Sequence, residues 1–144
     1  MKQATVGALM FALGMIGGLA LRHEPVVEAE QAANARVFEI RTYTTPEGKL
    51  DALKARFRDH TIGLFDRHDM KSVGYWTPED APLSQNTLIY ILAHPSREAA
   101  KQNWAAFRSD PEWVKVKAAS EANGPLTTKV ESVFVDPTDF SQIK

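Results

Sequence analysis

Four histidines provide the side chains best suited to proton transfer or metal ligation near neutral pH: His23, His60, His68 and His94. His60 and His68 stand eight residues apart, with Leu64 between them at helical spacing. A general base at His60, or a metal or heme ligand, is one reading of that pattern. It is not the i,i+4 pair of a zinc helix, however, and no HExxH surrounds it. A hydrogen-bonded core or rim His60 and a surface-edge His68 are the plainer readings. His94 precedes Pro95 at a strand end, which suits a turn role, and His23 lies in the N-terminal segment. A second constellation is Glu39, Arg41 and Tyr43, each two residues from the next and so on one face of a strand. If Phe38 and Ile40 pack under helices, this polar trio points to the open side. There Arg41 would pair with an anionic ligand group on an otherwise apolar wall. Alternatively, the trio forms a cross-strand ion-pair ladder with Lys129 and Glu131. Tyr75, Trp76, Tyr90, Trp104 and Trp113 supply either plain core packing or a flat pocket for an aromatic or isoprenoid-like molecule. The candidate ligand pocket is therefore Glu39, Arg41, Tyr43, His60, Trp76, Tyr90 and Trp104, with His60 as the candidate base.

Composition narrows the chemistry further. The 144 residues carry 17 Lys+Arg against 18 Asp+Glu, a formal charge of −1, and no cysteine. A near-neutral chain offers no electrostatic reason to bind nucleic acid. Without cysteine there is no disulfide, thiolate nucleophile or Cys-ligated metal cluster. No GxSxG elbow, P-loop or GxGxxG is present, which argues against hydrolase, NTPase and dinucleotide roles. No cofactor and no metal are expected.

The elements that must position these residues follow from periodicity. Val37 to Tyr43 alternates as a strand. Thr45-Pro46-Glu47 reads as a helix start, and Leu50, Leu53, Phe57, His60 and Leu64 form the apolar stripe of a helix running to about His68. Ser72 to Thr77 is a short strand, Pro78 to Asn86 a loop, and Thr87 to His94 the most hydrophobic and most central strand. Ser96 caps a second helix bearing Ala100, Asn103, Trp104 and Phe107. Asp110-Pro111-Glu112 restarts it and Asn123-Gly124-Pro125 stops it. Thr127 to Val135 is the last strand. The order β-α-β-β-α-β is the split βαβ arrangement, an α+β fold in which both helices cover one face of a four-stranded antiparallel sheet. The other face, if it carries roughly 500–700 Å² of apolar surface, would gain on the order of 12–20 kcal/mol gross when covered. A second copy of the chain, related by a two-fold axis, is the simplest cover.

Lys2, the apolar run Ala4 to Leu21 and the polar residues that follow have the order of an export signal. At 18 residues the run is also near the lower limit for spanning a bilayer. Residues 1–21 are thus a removed signal peptide or a retained anchor facing out of the cytoplasm, which makes residues 4–21 a candidate membrane tether. Residues 22–35 read as a linker, 36–136 as the folded domain and 137–144 as a tail. Export places the domain in the periplasm or outside the cell.

Five short motifs in order carry a resemblance. Glu39-Ile40-Arg41-Thr42-Tyr43, Gly48-Lys49, Gly74-Tyr75-Trp76, Asn86 with Leu88 to Tyr90, and Asp110-Pro111-Glu112-Trp113 are similar to the marks of the NIPSNAP family over residues 37 to about 135. The resemblance implies a ferredoxin-like dimeric α/β barrel and a homodimer. It implies no settled activity, since members are mostly of unassigned biochemistry. Distant superfamily cousins include cofactor-independent monooxygenases and heme-degrading enzymes. Arg41 and Thr42 stand where the latter use an asparagine, which counts against heme oxygenation. Two functions are therefore expected in competition. One is a non-catalytic dimeric domain binding a small hydrophobic or aromatic ligand or a partner protein. The other is a cofactor-independent monooxygenase- or isomerase-like enzyme, with His60 as base and Arg41 orienting an anionic substrate.

Overall fold

The computed structural model describes residues 36–144. The expected signal or anchor segment, residues 1–21, and the expected linker, residues 22–35, lie outside the described residues. Four strands, β1 (Val37–Thr44), β2 (Lys71–Trp76), β3 (Thr87–His94) and β4 (Lys129–Val135), form one antiparallel sheet in the order β2-β3-β1-β4. Between β1 and β2 run the helices α1 (Leu50–Arg56) and α2 (Ile62–Arg67), joined by a π-helical turn at Phe57–Thr61. Between β3 and β4 run α3 (Arg97–Ser109) and α4 (Pro111–Ser120). This is the ferredoxin-like β-α-β-β-α-β arrangement, with the chain's most apolar strand, β3, inside the sheet as its composition requires. Among the described residues no helix is long and apolar enough to cross a membrane.

Local signals set most boundaries. Ser96 accepts a hydrogen bond from Ala99 N at 3.0 Å and caps α3, and Asp110 accepts from Glu112 N at 2.8 Å and caps α4, with Pro111 at the first helical position. Gly124 takes φ +101° just past α4, a conformation that only glycine adopts without strain. The first helix departs from expectation. It starts at Leu50 rather than at Thr45, because Thr45 N donates to Asn86 O at 2.8 Å and Lys49 N to Pro46 O at 3.1 Å, so Thr45 to Lys49 is spent on leaving the sheet and turning.

The core lies between sheet and helices. Leu53, Phe57, Leu64 and Phe65 from the first helical rod meet Leu88, Tyr90 and Leu92 from β3 and Trp104 and Phe107 from α3. Tyr90 sits at its centre, with the rings of Phe57, Tyr43, Tyr75 and Phe65 at 5.1, 5.3, 5.6 and 5.9 Å. On the opposite sheet face, Phe38, Ile40, Val73 and Ile91 line a 290 Å³ hollow together with Asp136, Pro137, Thr138, Ser141 and Ile143, so the tail folds back over part of that face.

Candidate functional site

The register settles which residues of β1 meet the helices. Glu39, Arg41 and Tyr43 pair across from Leu92, Tyr90 and Leu88 on β3 and from Phe134, Ser132 and Val130 on β4. Leu88, Tyr90 and Leu92 are core residues, so the polar trio faces the helices, while Phe38 and Ile40 face the open side. The expected assignment is thus reversed. Lys129 and Glu131 pair with Thr44 and Thr42 on the opposite face, so they form no ladder with the trio. The reversal is possible because the charges neutralise one another and both Glu39 oxygens are hydrogen-bonded, although the buried Arg41 Nε has no partner among the described residues.

Glu39 is the hub, with only 1% of its surface exposed. Its Oε1 accepts from Arg41 Nη1 at 2.6 Å and from Ser132 Oγ at 2.6 Å. Its Oε2 accepts from Trp104 Nε1 at 2.7 Å and faces His94 Nε2 at 3.0 Å. Burial alone would push the carboxyl upward, but the hydrogen bonds from His94, Ser132, Trp104 and Arg41 outweigh it and hold the pKa at about 2. An ionised carboxylate only accepts, so the His94 proton sits on Nε2 and the buried Nδ1 is left without a partner among the described residues. Arg41 stands over the Trp104 ring, its Cζ 4.3 Å from the centroid, and Nη2 donates to Tyr43 Oη at 3.3 Å. Burial opposes its charge, yet the oxygens of Tyr90, Tyr43 and Glu39 hold its pKa above the ordinary value. Tyr90 donates to the same Tyr43 oxygen at 3.0 Å. Burial and that phenolic neighbour push the Tyr90 hydroxyl further from ionisation, against the lowering influence of Arg41.

Five of the seven expected pocket residues therefore converge: Glu39, Arg41, Tyr43, Tyr90 and Trp104. The other two do not. Trp76 is on the open face, 49% exposed, with its ring laid over Gly74; a Cβ there would stand 2.6 Å from the indole. His60 is exposed on the outside of the helical rod. It lines a 750 Å³ groove between α1 and α4 with Asp59, Glu112 and Lys115. The π turn adds one residue to the rod, so Thr61 rather than His60 takes the inward position and donates from Oγ1 to Arg56 O at 3.2 Å. His68 faces Asp110 at 2.8 Å at the rim of the two helix layers. His94, expected in a turn, is instead fully buried against Glu39. Its signal was its period: two residues beyond Leu92, it shares the inward face of β3. Ser132 was also missed; a lone serine on an edge strand carries no mark.

Beside the cluster, a 360 Å³ cleft opens between α3 and the edge strand β4, lined by Glu39, Trp104, Phe134, Arg97, Glu98, Lys101 and Arg108. Arg97 rests on the Phe134 ring at 4.4 Å and Arg108 stands 6.0 Å from the Trp104 ring. The arrangement offers flat apolar walls, cations at the mouth and a buried, charge-balanced floor. Among the described residues no group of three or more His, Cys, Asp or Glu converges as for a metal ion.

Comparison with known proteins gives the same architecture. The NIPSNAP family model matches residues 38–142. Among solved structures the chain is similar to a NIPSNAP family protein of unknown function from Agrobacterium tumefaciens strain C58, with TM-score 0.66 and 25% identity over 76% of this chain and 95% of that one. It is similar also to an uncharacterized NIPSNAP-like domain protein from Burkholderia xenovorans, with TM-score 0.65 and 19% identity over 74% of this chain and 89% of that one. SnoaB, a cofactor-independent oxygenase from Streptomyces nogalater, shares the fold with TM-score 0.50 and 14% identity over 76% and 99% of the two chains. No curated protein matches the chain. The family match takes in the sheet, both helix layers, the buried Glu39 cluster and most of the tail; this chain belongs to the NIPSNAP family.

Proposed function

We propose that the chain is a homodimeric binding domain, without a catalytic step of its own, that takes up a small aromatic molecule in the cleft beside Trp104. The observation that carries this reading is that the buried Glu39–Arg41 pair is held charged and hydrogen-bonded to its neighbours. Glu39 already faces four donors and is held ionised, so it is a poor base. Tyr90 is pushed away from ionisation, and the Arg41 guanidinium stays charged. A carboxylate and a guanidinium held charged, beside a phenol held away from ionisation, suit recognition, in which a polar floor orients a ligand against apolar walls. Catalysis with His60 as base draws no support from this geometry, since His60 stands outside the helix layer.

The homodimer is supported by the open sheet face, where Trp76 and Val133 are 49% and 57% exposed. The apolar run before the linker supports an exported or membrane-tethered placement outside the cytoplasm. The test is a titration of the full-length protein, in mild detergent, with 2-naphthol, followed by tryptophan emission. Saturable quenching is expected, weakened in Trp104→Phe, whose circular dichroism checks the fold. Absence of any saturable signal at millimolar concentration sinks the binding reading. Oxygen consumption above buffer with an electron-rich phenol would overturn its non-catalytic part.

A further inference from the structure

Resting on that reading, we infer that the cleft between α3 and β4 selects an aromatic carboxylate: its anionic group engages Arg97, Lys101 and Arg108 while its ring lies against Trp104 and Phe134. The spacing comes first. Residues 97, 101, 104 and 108 are i, i+4, i+7 and i+11 of one helix, so three cations and the tryptophan share a single stripe of α3. Like charges at i,i+4, as at Arg97 and Lys101, weaken a helix, so helix stability accounts only for Arg108, which stands in the last turn.

The surrounding charges leave it unbalanced. Among the described residues none of the three cations makes an ion pair, whereas Arg41, Arg56, Arg67 and Lys117 are all paired. Of the two acids lining the cleft, only Glu98 stands against them, one charge against three. Glu39 is neutralised by Arg41, while Glu98, which accepts from Gln102 Nε2 at 3.3 Å on its own helix, keeps its charge and leaves an excess of two cations. Arg97 also sits at the first position of α3, where the unpaired backbone N–H groups add further positive potential.

The walls distinguish an aromatic acid from a bare inorganic anion. Arg97 stacks over Phe134 and Arg108 stands over Trp104, so each guanidinium is set at the edge of an aromatic surface. A ligand ring against those surfaces brings its carboxylate within reach of both forks. The 360 Å³ volume suits one or two fused rings, at the lower end of the roughly 300–1,000 Å³ of small-molecule pockets.

The experiment titrates the full-length protein with 2-naphthoate, its neutral methyl ester and inorganic phosphate, reading tryptophan emission. Naphthoate is expected to bind about tenfold or more tightly than the ester, with an affinity that falls as salt rises. The variant Lys101→Gln/Arg108→Gln, at two exposed positions, should lose about tenfold for naphthoate and leave ester binding unchanged. Equal binding of acid and ester, or an acid affinity that survives the double substitution, overturns the anion preference while leaving aromatic binding in place. Displacement of naphthoate by phosphate at equal concentration overturns the aromatic part. If neither acid, ester nor 2-naphthol binds, the binding reading itself has failed.

Discussion

Burying a carboxylate as deeply as Glu39 costs several kcal/mol of desolvation, and the structure offsets this with the Arg41 cation and three further donors aimed at both oxygens. Glu39→Gln keeps the volume but leaves Arg41 as a buried cation without a counter-charge. The expected loss is about 3–5 kcal/mol of unfolding free energy, measured by urea denaturation at neutral pH. The same carboxyl makes stability depend on acid. Its pKa falls from 4.5 to about 2 on folding, so its contribution is fully present above 4.5 and is lost as pH falls from there through 2. Over that window the wild type should lose about 3 kcal/mol through this group, at about 1.4 kcal/mol per unit. Glu39→Gln should flatten that part of the profile; an unchanged slope would show that other carboxylates carry the acid sensitivity. This cluster was only half legible in the sequence. Alternation put Glu39, Arg41 and Tyr43 on one face. The binary rule then sent the apolar set, Phe38 and Ile40, under the helices, because it has no way to register that partners from three other elements, His94, Trp104 and Ser132, make a buried charge tolerable.

The first helical rod shows how one extra residue moves a candidate base out of a site. A strict helical period puts Leu50, Leu53, Phe57, His60 and Leu64 in one stripe, and sequence alone gives no reason to break it. The π turn at Phe57–Thr61 does break it: Ile62 N bonds back to Phe57 O, and the buried stripe runs through Thr61 instead. The Thr61 hydroxyl then donates to the Arg56 carbonyl at 3.2 Å, a buried bond within the turn. Thr61→Val, similar in shape but without the donor, should cost about 1 kcal/mol by thermal or urea unfolding. His60→Ala, on the outer face, should stay within about 0.5 kcal/mol of wild type and leave naphthoate binding unchanged. A loss of binding there would return His60 to the site. Elsewhere the elements were well marked. Ser96, Asp110-Pro111 and Gly124 each act where their chemistry is strongest, at a helix end that side chains or a left-handed residue must satisfy. Thr45-Pro46 carries the same chemistry but leads into a turn, because β1 pairs one residue beyond Tyr43, to Thr44, and the chain must still leave the sheet.

At the scale of the molecule, the sheet has one face sealed by helices and one face only partly covered by its own tail. Trp76 folds over Gly74 on that second face, and Val133, beside Ile40 in the register, stands out from it. Apolar side chains this exposed on a face with a strand's flatness are stable in water when a second surface meets them, and an isologous contact lets one substitution act twice. If two copies join here, the purified protein should have twice the monomer mass by light scattering at micromolar concentration. Val133→Asp then places a carboxylate from each copy in that interface, where Lys129 on the same strand face is already paired with Glu131. The dimer dissociation constant should rise about 100-fold or more. The monomer's own unfolding should change little, because Val133 contributes almost nothing to the core between sheet and helices. The two readouts separate the possibilities. A variant that dissociates but unfolds like wild type assigns the face to the partner copy. A wild type that is monomeric at every concentration leaves the tail as the face's cover, and the aromatic cleft, which lies on the opposite side of the sheet, would then have to function in a single chain.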